Sequence, residues 1–178
     1  CGFSETVVAS TSVTYLPAST GIKSCTIWYY QDGILTKMTG CRGNVTFNLD
    51  TGGRPMMSFT MTGHVGTVPA DVALVTPTYM STVPLALVGQ SFTIDGYAAT
   101  IAALTWDMGN TLATPPDINA ADGYSQIRIT ARDVAGSFDP ELELVATEAF
   151  DANWRSGKAM ALAVGAIGTV AGNICTIT

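Results

Sequence analysis

Residues 40–63, GCRGNVTFNLDTGGRPMMSFTMTG, constrain the fold of this chain most tightly. Two runs alternate with a period of two, Val45, Phe47 and Leu49 in the first and Met57, Phe59 and Met61 in the second, with a glycine-rich bend between them. Successive side chains of a strand point to opposite faces, so this pattern predicts a β-hairpin with one buried apolar face. Setting Phe47 opposite Phe59 brings Val45 to Met61 and Leu49 to Met57 and leaves residues 51–55 as the loop. The other face, Asn44, Thr46, Asn48, Ser58, Thr60 and Thr62, is polar and uncharged, and the only charges of the bend are Asp50 and Arg54. Such a face either stays wet or pairs with another sheet.

Composition favours pairing. Charged residues make up 12% of the chain, about half the usual share. A monomer normally displays more charge, so the deficit points to surface that faces other subunits. A chain of 178 residues fits one domain with a core of useful size. Fourteen acidic residues oppose eight basic ones, and no basic run exists. Nucleic-acid binding rests on Lys and Arg neutralising phosphates, so that class is disfavoured, while an acidic bore would repel a passing polyanion.

Cys1, Cys25, Cys41 and Cys175 are too few and too scattered for a disulfide framework, and no CxxC pair is present for zinc. With Asp32-Gly33 as a two-residue turn, Cys25 falls opposite Gly40, and one residue of difference would bring Cys25 and Cys41 together; reduced thiols and a reducing origin are the expectation. A leading Cys1-Gly2 suits an acylated lipoprotein start less well than it suits a β pattern beginning by Thr6. Residues 159–178 carry no charge, but Gly165, Gly168 and Gly172 interrupt them, so short buried strands are expected and no membrane anchor.

Along the chain, residues 6–16 alternate as one strand that stops at Pro17. Residues 24–31 and 34–39 flank Asp32-Gly33, a type I′ hairpin signal that sets Ile27 against Met38 and Tyr30 against Leu35. Three prolines between His64 and Gly89 predict an irregular excursion, with one short strand within residues 72–79. Residues 91–101 read as a hairpin turning at Asp95-Gly96, residues 100–108 as a strand ended by Gly109-Asn110, residues 111–122 as a loop, and residues 124–132 as a half-buried strand. Asp139 as cap, Pro140 at the first helical position and Gly157 as terminator predict a helix over about 140–156, with Leu142, Val145, Ala146, Ala149, Phe150 and Trp154 as its apolar arc. Residues 158–178 then form two strands around Ala171-Gly172-Asn173.

Catalytic constellations are missing from the sequence. His64 is the single histidine and follows a glycine at a strand end, a surface or interface position rather than that of a base. No GxSxG, GxGxxG or P-loop pattern occurs, and Gly165, Gly168 and Gly172 have the wrong spacing for phosphate. Asp107 and Asp133 are the only carboxylates without a structural assignment, too little for paired acid chemistry. Asn44-Val45-Thr46 matches a glycosylation sequon, which carries no weight in a reducing compartment. Trp28, Trp106 and Trp154 fit core packing better than a sugar platform.

The order of segments is more telling than any motif. TGCRGNVTFNLDTGGRPMMSFTMTG, then SFTIDG, LTWDMGN, DGYSQIRITARDVAGSFDPELELVATEAFDANWRSG and GTVAGN resemble the tail tube proteins of long-tailed bacteriophages and their prophage relatives, over most of the chain. The resemblance implies a mainly β fold, an antiparallel β-sandwich or rolled barrel with one flanking α-helix at about 140–156, as a single domain over 1–178 that lacks terminal segments. It further implies a structural virion protein, not an enzyme, without cofactor or metal. Its partners would be itself, in usually hexameric rings that stack into a tube, and other phage tail proteins. DNA would pass through without specific binding, and assembly would take place in the bacterial host cytoplasm. The expected assembly residues are Asn44, Thr46, Asn48, Asp50, Arg54, Ser58, Thr60 and Thr62. A carbohydrate-binding or adhesin-type β-sandwich is the alternative class, and a hydrolase built on Asp107 and Asp133 the weakest.

Overall fold

Period-two alternation of β-branched and small residues gives strands along most of the chain. A computed structural model describes residues 1–66, 68–81, 83–172 and 174–177. In chain order the strands are β1 (Phe3–Val8), β2 (Ser12–Pro17), β3 (Cys25–Gln31), β4 (Ile34–Asp50), β5 (Met56–His64), β6 (Ala70–Asp71), β7 (Phe92–Ile94), β8 (Ile101–Asp107), β9 (Asn110–Ala113), β10 (Arg128–Arg132) and β11 (Ala135–Pro140). The helix α1 (Phe150–Ser156) follows, then β12 (Leu162–Ile167) and β13 (Cys175–Ile177). The protein is thus mainly β, with antiparallel sheets, one helix and no closed barrel among the described residues. No described helix is long and apolar enough to cross a membrane.

The chain divides into two compact units. The first comprises Cys1–Thr46, Ser58–Tyr79 and Asp107–Ala135. Within it β3 and β4 form the hairpin expected at Asp32-Gly33, with Ile27 opposite Met38 and Tyr30 opposite Leu35. Both turn residues have positive φ, 46° and 83°, as a type I′ turn needs. Past Ile27 the register shifts and Cys25 lies opposite Cys41, not Gly40. The cause is one extra residue in β4 at Thr39-Gly40, where Gly40 takes φ 64°.

Residues 6–16 are not one strand: β1 and β2 are a ribbon, Glu5 opposite Tyr15 and Val7 opposite Val13, because Ser10 turns the chain at φ 58° without a glycine to announce it. Residues 72–79 hold no strand; the short piece is β6, which pairs Ala70 with Leu35 and Asp71 with Ile34. The stretch read as a loop after Asn110 begins instead with β9, paired with β10. Buried in this unit are Cys41, Val45, Met108 and Ile127.

The second unit comprises Phe47–Met57, Met80–Trp106 and Gly136–Thr178. One of its sheets joins β11, β8 and the end of β4, and the other runs β13-β12-β7. Leu49 and Leu104 from the first pack on Phe92, Ile94, Val164 and Ile167 from the second, which makes this unit a two-sheet sandwich. Each of these large side chains contributes about 1.5–3 kcal/mol on burial. Phe47 and Trp106 stack at 4.4 Å beside them. Asp95-Gly96 turns the chain as expected, with Ile94 bridging Tyr97, but β7 takes its strand partner from β12. The turn between β12 and β13 includes Asn173, which lies outside the described residues.

The helix is half the expected length. Asp139 does not cap it: its carboxylate accepts the backbone N–H groups of Ala102 and Ala103 at 3.0 and 2.8 Å, and Glu141 N–H reaches Thr100 O. These bonds extend the chain along β8 through Pro140, so helical geometry starts only at Phe150 and ends, as expected, at Gly157 in the left-handed region. Leu142 is fully exposed and Trp154 76% exposed, while Phe150 alone reaches the core and meets Tyr97 edge-on.

Candidate functional site

The hairpin of β4 and β5 carries every residue singled out for assembly, apart from Arg54 in its loop. In β4 the alternation behaves as the sequence predicts: Val45 and Leu49 are buried, Phe47 is half-buried, and Thr46 and Asn48 are half-buried on the other face. In β5 it does not. Met57 and Phe59, expected on the buried face, are each 58% exposed, and Met61 is half-buried. Ser58, Thr60 and Thr62 are exposed too, so most of β5 lies open on both faces.

Close approaches of the strands occur where side chains are lacking. A Cβ on Gly43 would meet Met61 Cα at 3.0 Å and overlap Thr60 O, and one on Gly63 would overlap Cys41 Sγ. Gly43 therefore sits against Met61, not across from Gly63 as an alignment of Val45 with Met61 requires. The loop is also tied down. Gly52 N–H donates to Leu87 O, Leu87 N–H to Gly53 O, and Thr51 to Ala102 O through both its N–H and its hydroxyl. Asp50 and Arg54 remain exposed at its ends.

Asn44 differs from the other polar residues of the face. Its Nδ2 donates to Asp107 Oδ1, and its Oδ1 accepts the Asn110 N–H at 3.0 Å. Asn110 Nδ2 in turn donates to Cys1 O and Gly43 O, and Arg132 donates to Asn110 Oδ1 and to the carbonyls of Gly2 and Ala18. The side chain of Asn44 is thus occupied within its own subunit. Asp107 also accepts the Gly109 N–H at 2.7 Å; the Asn44 amide first, and this backbone donor second, hold its carboxyl below the ordinary value. That is an anchoring role, opposite in sign to what a general acid needs. His64, at the end of β5, places Nδ1 2.6 Å from Asp122 Oδ2 and keeps Nε2 buried.

The tryptophans take three unlike positions. Trp28 is half exposed with Lys37 Nζ 4.8 Å above its ring, Trp106 stacks on Phe47, and Trp154 projects from α1. Core packing therefore holds for Trp106 alone. No group of metal-ligating side chains is assembled among the described residues.

A mainly β subunit with an open, largely uncharged hairpin is that of a structural assembly protein. The family model described as phage tail tube protein matches residues 2–177, and the chain belongs to that family. It is a structural component of the phage tail that assembles with itself and with other tail proteins. No curated protein and no solved structure matches the chain.

Proposed function

We propose that copies of this chain join into rings, that the rings stack into the tail tube, and that the tube is the conduit for DNA entering the host. In this reading residues 1–178 act as one tube-forming domain, assembled in the host cytoplasm. The exposure of Met57 and Phe59 carries the proposal: β4 buries its half of the apolar face inside the subunit, and β5 offers its half to a neighbouring copy. An apolar strand with both faces wet is an association surface unless something covers it. The opposite face, Thr46, Asn48, Ser58, Thr60 and Thr62, with Asp50 and Arg54 at the bend, lines the bore or meets the next ring. With Asp50 offsetting Arg54 the face carries no net positive charge, and together with the chain's net charge of −6 this keeps duplex DNA from adhering.

The test is to load the face with cations. Assemblies of the unaltered chain should leave duplex DNA free at low salt, while assemblies carrying Thr46→Lys with Thr60→Lys should retain it. Equal DNA retention by both would overturn the placement of this face in the bore.

A further inference from the structure

The register shift in β4 has a chemical result. Without the extra residue at Thr39-Gly40, Cys41 would point to the face opposite Cys25. With it, the two cysteines are direct antiparallel partners and share a face. Directly opposed residues in an antiparallel pair hold their Cβ atoms about 4.5–5.5 Å apart, close to the separation of about 3.5–4.5 Å that a disulfide requires. Both thiols are free, and Cys25 Sγ lies 3.9 Å from Cys41 O. Cys25 is exposed at the strand end, whereas Cys41 is buried and donates to Met38 O at 3.4 Å.

We propose that Cys25 and Cys41 are a redox-sensitive pair that closes into a disulfide clamping β3 to β4. The oxidant is a small-molecule disulfide such as oxidised glutathione. The thiolate of the accessible Cys25 attacks one sulfur of that molecule, breaking its S–S bond and releasing one small thiol. Cys41 then attacks the Cys25 sulfur of the mixed disulfide; the protein S–S bond forms and the second small thiol leaves. Two electrons pass from the protein to the oxidant, and the two protein thiol protons end on the two released thiols. Burial, and the neighbouring Cys25 after it, raise the pKa of Cys41, which makes the second step the slow one. The pair stays reduced in a reducing cytoplasm and closes on transfer to an oxidising exterior. The chemistry belongs to the folded subunit and does not depend on ring formation.

Trypsin places the four cysteines on four different peptides, Cys25 on 24–37 and Cys41 on 38–42. The full chain, folded, is incubated with oxidised glutathione; remaining thiols are blocked with N-ethylmaleimide and the digest is weighed. The expected product is peptide 24–37 joined to 38–42, with loss of maleimide labelling at both cysteines and return of labelling after a phosphine reductant. Cys175→Ser should leave the link intact, and Cys25→Ser should abolish it while the circular dichroism spectrum is unchanged. Cys41→Ser should stop at a stable glutathione adduct on Cys25. If the unaltered chain also stops at that adduct, or Cys25 joins Cys1 instead, the proposal fails, and the tube reading is untouched.

Discussion

Phe59→Thr separates the two roles that a hydrophobic residue in β5 can have. Full burial of a phenylalanine side chain is worth about 1.5–3 kcal/mol. Phe59 is 58% exposed in the subunit, so about 0.9–1.7 kcal/mol of that is left to be gained when a neighbour covers it. At tenfold per 1.4 kcal/mol, losing the contact raises the concentration at which subunits associate by about 4- to 20-fold. The part already buried costs the substitution about 0.6–1.3 kcal/mol of folding stability, which leaves a domain of ordinary stability folded. Threonine is chosen because its β-branched side chain suits a strand. Sedimentation velocity over a concentration series reads the association threshold, and urea denaturation reads the subunit. An unmoved threshold with a folded subunit would show that no neighbouring copy covers Phe59.

Three further outcomes are expected. Gly109 and Gly21 have nearly the same positive φ, 59° and 65°, but a Cβ on Gly109 would overlap the Asp133 carbonyl and one on Gly21 would meet nothing within 4 Å. Gly109→Ala should therefore cost about 1–3 kcal/mol more than Gly21→Ala in urea denaturation, and equal costs would show that Asp133 yields freely. Because the Asp107 carboxyl is held below its ordinary 3.8, its contribution to stability is present above that value and is lost as pH falls through the lower, folded one. An acid titration should show stability dropping below about pH 4 and a shallower drop in Asp107→Asn; identical curves would contradict the anchoring role. Arg54→Glu leaves the backbone bonds of the loop in place, so tubes of changed length or stacking, with rings intact, are expected by electron microscopy if the loop meets the next ring.

Where a signal is local and strong, the fold was legible. Asp32-Gly33 set the β3–β4 register correctly, because two positive-φ residues fix a two-residue turn. It was lost one step later, since a bulge at Gly40 leaves no mark on the alternation. The helix misled for a related reason: Asp139-Pro140 is a good local start, but the same carboxylate has backbone donors on β8 to bind, and a sequence window cannot see them. Ser10 hid the β1–β2 turn by taking a conformation usually left to glycine. For the site, alternation marked the apolar face that β4 buries and could not tell that β5 leaves most of its own half exposed. That difference between Val45 and Phe59 depends on neighbours distant in sequence. The commitment of Asn44 to Asp107 and Asn110 was hidden for the same reason.

A tail tube requires that open subunits close on one another as stacked rings. Negative-stain electron microscopy of the purified full chain across a concentration series tests it directly. Annular end views with a central hole are expected at the association threshold, and rods of constant diameter above it. Single subunits at every concentration, binding glycans as monomers, would contradict it.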